Sequence, residues 1–434
     1  MRNKGVRYMQ QNKVIEIKNP ALNNNDILTD IVRNGAKEMI ACAIEAEVRD
    51  FLAKHSDLLT ANNKARIVRN GYLPERNITT GIGSIAVKVP RTRDRDNNAT
   101  NKINFASGIV PKHLRRSASM EELLPLLYLK GISTNDFKQV LQPLLGENAK
   151  NISPKIISQL KSKWEQEYIK WNNRDLSNKE YVYIWVDGIY LQARMEEEKN
   201  CVLVIIGVTP NGVKELVGLE IGFRESKASW LLLINQLKEN GLKLAPKLAT
   251  GDGSLGFWGA INEAFPQTKH QRCWVHKTAN ILEKLPKSLQ KQAKRMIQDI
   301  WMADTKNNAL KAYKKFIDFF KNKYPKAVEC LEKDKEKLLT FYDFPAENWQ
   351  HIRTTNPIES TFATVRHRTY KAKGCFSQTT ILTMVFKLCI DAQTRWKKLY
   401  GFNRLAEVIN GIKFIDGVRT KERSVKNKKN ERAA

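Results

Sequence analysis

The sequence predicts a multidomain α/β protein organised around one mixed β-sheet, with an all-helical insertion late in the chain and a helical and β region ahead of the sheet. Three observations carry this expectation. The stretch YVYIWVDGIY at residues 181–190 is a run of aromatic and β-branched residues of the kind that fills a buried central strand. Strand-like and helix-like periods then alternate as far as residue 276, and a lysine-rich stretch with no strand pattern follows. At 434 residues the chain is longer than one ordinary domain, and 42% hydrophobic residues suffice for more than one core.

Residues 1–25 are polar and rich in Asn and Lys, and are expected to be poorly ordered. From Ile27 to Leu52 apolar residues recur at three- and four-residue steps, which predicts a helix over 26–54. Between Arg66 and Arg91 the period changes to that of strands. Turn signals at Asn70-Gly71 and Gly81-x-Gly83, with alternation over Ile85–Val89, predict a small sheet or pair of hairpins. The charge run RTRDRD at 91–96 reads equally as a solvated loop or a phosphate contact. These elements make up a first region, 1–115.

Three helices are expected within 116–175. One spans Ser119 to Gly131, a second opens at Ser133, and a third opens at Ser153-Pro154, a side-chain cap followed by Pro at the first helical position. The tight glycine turn between the first two fits a helix-turn-helix. In that reading the third helix presents Lys155, Gln159 and Lys161 to DNA.

The core is expected in two parts, 176–276 and 351–405. Strands over Tyr181–Val186, Cys201–Thr209 and Val213–Gly222, the last two joined by the turn Pro210-Asn211-Gly212, form an antiparallel meander. A helix over Ser226–Glu239, a short strand running into Gly251-Asp252-Gly253, a helix over Leu255–Ala264 and a strand near Thr268–Cys273 complete the order βββαβαβ. That order allows the first and fourth strands to lie side by side in parallel. The insertion occupies 277–350, broken at Pro286 and Pro325; a helix then starts at Asn356-Pro357, and a basic tail is placed at 406–434.

Asp187 closes the first strand, Asp252 follows the fourth, and Glu359 lies in the first turn of the Asn356 helix. Each has a bland reading, since Asp-Gly makes turns and an early Glu complements a helix dipole. Brought together, the three repel one another unless cations intervene. Hard oxygen ligands of this kind suit two Mg²⁺ ions, or Mn²⁺ in their place, and phosphodiester chemistry. Asp187, Asp252 and Glu359 are therefore the candidate catalytic and metal-binding residues of an RNase H-like nuclease or strand transferase. Cys273 and His276 supply only two of the four ligands a structural zinc site needs, which favours a packing or hydrogen-bonding role.

The 74 Lys and Arg residues against 45 Asp and Glu give a net charge of +29, which points to nucleic acid as the partner. Arg366 and Arg368, in the later turns of the Glu359 helix, are candidates to meet it. Six scattered cysteines form no CxxC pair, so a reducing, cytoplasmic setting is expected. The amino terminus has no apolar leader pattern, and no apolar run approaches the length of a membrane span.

Several segments resemble one family. VDGIY at 186–190, IIGVTPNGVKELVG at 205–218, ATGDGSLGFWGAI at 249–261, QRCWVHKTANIL at 271–282 and RTTNPIESTFATVRHRT at 353–369 are similar, in this order, to the Mutator-type transposases of bacterial insertion sequences. So are RNGYLPERNITTGIGSIAVKVPRTRDRD and LYLKGISTNDFKQVL nearer the amino terminus. The resemblance implies a DDE enzyme: an RNase H-like domain interrupted by a helical insertion between the second Asp and the Glu, with Asp187, Asp252 and Glu359 holding two Mg²⁺ ions. It also implies binding of terminal inverted repeats through the amino-terminal region, cleavage and strand transfer into target DNA, a homo-oligomeric enzyme and association with the nucleoid. The pair Cys273 and His276 is a feature of the family too. Ser360 and Phe362 stand where Arg or Asn often occurs in it. A DNA-binding regulator without activity, or an RNase H-like nuclease such as a junction resolvase, fits the same residues.

Overall fold

In the computed structural model the described residues are 6–10, 13–17, 27–96, 101–129, 132, 137, 139–141, 154–191, 200–372 and 377–420. The chain divides into two units, Met1–Gln159 and Leu160–Ala434.

In the first unit, β1 (Val6–Gln10) and β2 (Lys13–Ile17) pair antiparallel, so part of the segment expected to be poorly ordered forms a hairpin. The helix expected next is α1 (Ile27–Lys54). β3 (Ile67–Tyr72) pairs with β6 (Pro90–Asp94), and β4 (Arg76–Thr80) with β5 (Gly83–Val87). Two expectations change here. Asn70-Gly71 lies inside β3, where the register shifts between Arg69 and Tyr72, and Gly71 with φ +70 forms an irregularity in the strand where a hairpin turn was expected. The run RTRDRD is largely strand, because Arg66 donates twice to Asp94, at 2.9 Å each, and this fork holds β6 to the start of β3. Ile44 of α1 packs with Ile78, Ile85, Val87, Val89 and Val110 in a small core. The helix α2 spans Ala118–Leu129; the second helix of the expected helix-turn-helix, from Ser133, lies largely outside the described residues. The third is α3 (Pro154–Asn172), within which the division between the units falls.

The second unit is built on a five-stranded sheet of β7 (Tyr183–Leu191), β8 (Asn200–Val208), β9 (Lys214–Gly222), β10 (Leu248–Gly251) and β11 (Lys269–Arg272). Its order is β11-β10-β7-β8-β9, with β7, β8 and β9 antiparallel and β10 parallel to both β7 and β11. The first and fourth strands of this sheet are thus neighbours, as the element order requires. In sequence α4 (Lys227–Glu239) lies between β9 and β10 and α5 (Leu255–Ala264) between β10 and β11; their Trp230, Leu233, Ile234, Phe257, Trp258 and Ile261 bury one face of the sheet against Ile184, Val186, Leu203 and Ile205. Side chains alternate across a strand, so Tyr183 and Trp185 point to the opposite face. There Tyr183 donates to Asn348 Oδ1 at 3.0 Å and Trp185 Nε1 to the His351 carbonyl at 2.8 Å.

That second face is covered by the carboxyl-terminal half of the unit. Helices α6 (Trp274–Leu282), α7 (Lys287–Trp301), α8 (Lys306–Phe320), α9 (Pro325–Glu332) and α10 (Lys335–Leu338) fill the expected insertion. The short α11 (Trp349–Ile352) leads to α12 (Asn356–Ala372), which packs on β7, and to α13 (Gln378–Gln393). Beyond them, α14 (Leu405–Ile409) and a hairpin of β12 (Phe414–Ile415) and β13 (Val418–Arg419) occupy the first part of the expected tail. They pack because Leu405, Val408 and Phe414 are buried and Gly417 exchanges backbone hydrogen bonds with Tyr342 and Ala346. Among the described residues no helix is long and apolar enough to cross a membrane.

Candidate active site

The register between β7 and β10 builds the site. Leu248, Ala249 and Thr250 pair in parallel with Tyr183, Ile184 and Trp185, so two residues further on Asp187 and Asp252 come level on the same face. The sequence expected the first strand to end at Val186; β7 instead runs through Asp187-Gly188 to Leu191, because β8 pairs along its whole length. Asp187 is therefore inside a strand yet at the carboxyl edge of the parallel pair, since β10 stops at Gly251. Asp252 begins a turn, accepting from Ser254 N at 2.8 Å. Gly253, at φ +94, completes it, and a Cβ at Gly253 would lie 2.1 Å from the guanidinium of Arg272.

Glu225, which the sequence did not single out, joins these two acids. Ligand oxygens of Asp187, Glu225 and Asp252 lie within 4.8 Å of one another. Glu225 precedes Ser226, the capping residue of α4, so in sequence it is one polar residue in a loop; its place follows from the fold.

Glu359 stands in the first turn of α12 and has different partners. Thr355 Oγ1 lies 3.0 Å from Glu359 Oε1 and 3.3 Å from Cys273 Sγ, and the backbone N–H of Thr355 also donates to that sulfur. His276 Nε2 is 3.6 Å from Glu359 Oε1. Cys273, His276 and Glu359 thus form a second cluster, with ligand atoms within 4.8 Å of one another. Cys273 is fully buried just past β11, and its own N–H donates to the Gly251 carbonyl beside Asp252. So Asp187 and Asp252 are brought side by side, while Glu359 engages His276 and Thr355, and His276 acts electrostatically on both groups of acids.

Burial pushes the Asp187 carboxyl up to about 7, with the Asp252 charge adding to it and His276 opposing. Burial and the charges of Asp252 and Asp187 push Glu225 up to about 7 as well. The neighbouring Cys273 sulfur, ahead of Asp187 and Asp252, pushes His276 up to about 9. For the two acids the folded state holds a proton that the unfolded chain gives up between pH ~4 and 7, whereas the proton held on His276 is offset by the one Cys273, pulled down by the same contact, releases. Raising the pH through ~4–7 should therefore lower the stability of the metal-free protein. Asp187→Asn should flatten this slope, as followed by denaturant unfolding at fixed pH values; an unchanged slope would contradict the burial of that charge.

Of the residues expected to meet DNA, Gln159 is exposed and Lys161 half-buried on α3, and Lys155 lies on the same helix with its side chain outside the described residues. Arg366 is exposed, its guanidinium 5.7 Å from the Phe362 ring centre, and its charge reaches Asp187. Arg368 lies on α12, its side chain outside the described residues.

Carboxylates gathered at the edge of a mixed sheet, in a mixed α/β chain of net charge +29, are what membership of a family of DNA-processing enzymes leads one to expect. Residues 9–399 match the family model described as "Transposase, Mutator family", and the chain belongs to that family. Curated relatives agree. The transposase for insertion sequence element IST2 of Acidithiobacillus ferrooxidans is 50% identical over 281 residues, 65% of this chain and 95% of the relative. The transposase for element IS6120 of Mycolicibacterium smegmatis is 48% identical over 69% of this chain and 92% of its own length. The transposase for IS256 in transposon Tn4001 of Staphylococcus aureus is 27% identical over 85% of this chain and 91% of its own.

Proposed function

We propose that this transposase binds the terminal inverted repeats of its own insertion sequence and performs metal-dependent DNA cleavage and strand transfer on an RNase H-like core, with Asp187, Asp252 and Glu359 as the catalytic acids. The observation that carries this is the parallel register that sets Asp187 and Asp252 level on one sheet face. The donor set fits the implied ions, because the Asp187 side is made only of carboxylate oxygens, the ligand type that Mg²⁺ and Mn²⁺ prefer, and Asp187 is itself buried among them. Bound there, two such ions would activate a water or a 3′-hydroxyl and stabilise the leaving oxygen.

The protein's own part is placement. Asp187 and Asp252 are placed by the sheet, and Glu359, on α12, is held by Thr355 and by His276 of α6; in this reading it completes the set when the ions and DNA are bound. Lys155, Gln159 and Lys161 of α3 serve end binding in this reading, and Arg366 and Arg368 lie on the helix that carries Glu359 and contact DNA near the site. Two element ends must be handled together, so the working enzyme is a homo-oligomer on DNA, associated with the nucleoid.

Purified protein with Mg²⁺ and a duplex ending in the element's terminal repeat is expected to nick that end and join it to target DNA, and a duplex with a scrambled end is expected to do neither. Cutting of branched DNA without end preference would instead mark a junction-resolving nuclease. End binding with no cutting in Mg²⁺ or Mn²⁺ would mark a regulator.

A further inference from the structure

We propose that Glu225 is a further carboxylate ligand of the site, so that one divalent cation is held by Asp187, Glu225 and Asp252 independently of Glu359. This rests on the reading of Asp187 and Asp252 as metal-binding acids, and it adds a residue that reading does not contain.

Six-coordinate Mg²⁺ holds oxygens at about 2.1 Å, which separates neighbouring ligand atoms by ~3 Å and opposite ones by ~4 Å. The three carboxylates lie within 4.8 Å of one another, so small side-chain movements bring all of them onto one ion. Asp187 itself is placed to meet a cation. It is 7% exposed and points into this cluster, and the hydrogen bond it accepts among the described residues comes from the adjacent Gly188 N–H, at 2.9 Å. A buried carboxylate with an uncommitted oxygen, facing two other carboxylates, is arranged for a cation.

The backbone delivers Glu225 to these two acids. Gly188 is the residue of β7 opposite the Glu225 side chain, and a Cβ there would sit 2.6 Å from Glu225 Oε1. Arg224 turns the chain after β9 with φ +56, a conformation unfavourable for a residue with a side chain. The Glu225 carbonyl then accepts from Ser254 Oγ at 3.3 Å, two residues past Asp252, and at Gly256 a Cβ would fall 2.0 Å from that same carbonyl oxygen. Close approaches from two separate segments thus seat Glu225 against the turn that carries Asp252. Glu359, by contrast, is occupied by Thr355 and His276.

The test is Mn²⁺ binding to the full-length protein, read by electron paramagnetic resonance of the unbound ion, together with the melting temperature with and without Mn²⁺. Glu225→Gln should weaken the tighter Mn²⁺ site by ~10-fold or more and reduce the Mn²⁺-induced rise in melting temperature, as Asp252→Asn should. Gly188→Ala, which displaces the Glu225 carboxyl, should do the same. Glu359→Gln should keep that tighter site. Metal-free Glu225→Gln should melt at or above the wild-type temperature, because one of three crowded carboxylates is neutral. If Asp187→Asn and Asp252→Asn lose Mn²⁺ but Glu225→Gln binds it like wild type, the inference about Glu225 is wrong and the reading of the site stands. If all three variants bind Mn²⁺ like wild type, both fall. A metal-free Glu225→Gln protein that melts well below wild type would assign Glu225 to packing and overturn the proposal.

Discussion

Asp187→Asn is expected to leave binding to the element's end within about twofold of wild type and to lower cleavage and strand transfer by at least ~10³-fold, equivalent to about 4 kcal/mol of barrier. The amide has the shape of the acid but no charge, so it is a poor ligand for a hard cation while filling the same space in β7. Folding is not at risk. Asp187 is buried beside Asp252 and Glu225, and its charge is a burden in the metal-free protein, so the variant should be at least as stable as wild type above pH 7. End binding depends on phosphate and base contacts made elsewhere, and the net charge changes by one in +29. Gel-shift and cleavage assays on one preparation separate the two effects. A variant that binds and also cuts at near wild-type rate would remove Asp187 from the chemistry.

Much of this site was legible because its elements have strong local signals. Tyr183 to Val186 is too apolar and β-branched to be anything but a buried strand, and Pro210-Asn211-Gly212 closes the next hairpin with Gly212 at φ +76. Once the order βββαβαβ is read, the parallel neighbour of the first strand is nearly determined, and with it the pairing of Asp187 with Asp252. The length of β7 beyond Asp187 was not legible, because it depends on partners in β8 and on the close seat of Glu225 over Gly188. Glu225 itself was hidden for the same reason: nothing in FRESKAS distinguishes its Glu from any acid ahead of a helix cap. Charge misled the reading twice. RTRDRD pairs as a strand through the Arg66–Asp94 fork, and the stretch near 414–419 has a hairpin signal, Asp416-Gly417 with φ +51 and +75, that the basic composition around it concealed.

Asp334→Ala is expected to destabilise the protein by about 3–5 kcal/mol, the largest loss of stability foreseen for one side chain outside the site. Asp334 lies at the start of α10 and is the counter-charge of two buried cations: Lys277 Nζ at 2.6 Å, with its side chain 3% exposed, and Arg272 Nε at 3.4 Å, with its side chain 7% exposed. Lys277 also donates to the Cys330 carbonyl, so α6, α9 and α10 meet at this point. Removing the carboxylate leaves both cations buried without compensation, a larger penalty than the attraction of the intact pairs would suggest. Asp334→Asn keeps an acceptor and should cost less, about 1–3 kcal/mol. The effect should extend to the sheet, because Leu338 of α10 accepts from Gln271 of β11 and from Trp274, and Phe341 N–H donates back to Gln271. Arg272 in turn packs against Gly253, so a loosened Arg272 unseats the turn after Asp252. Denaturant unfolding should therefore show the loss of stability, and Mn²⁺ titration of the variant should show weakened binding although no ligand has been changed. A melting temperature within about 1 °C of wild type would mean that Lys277 and Arg272 find other compensation, and that the insertion does not hold the Asp252 turn through this contact.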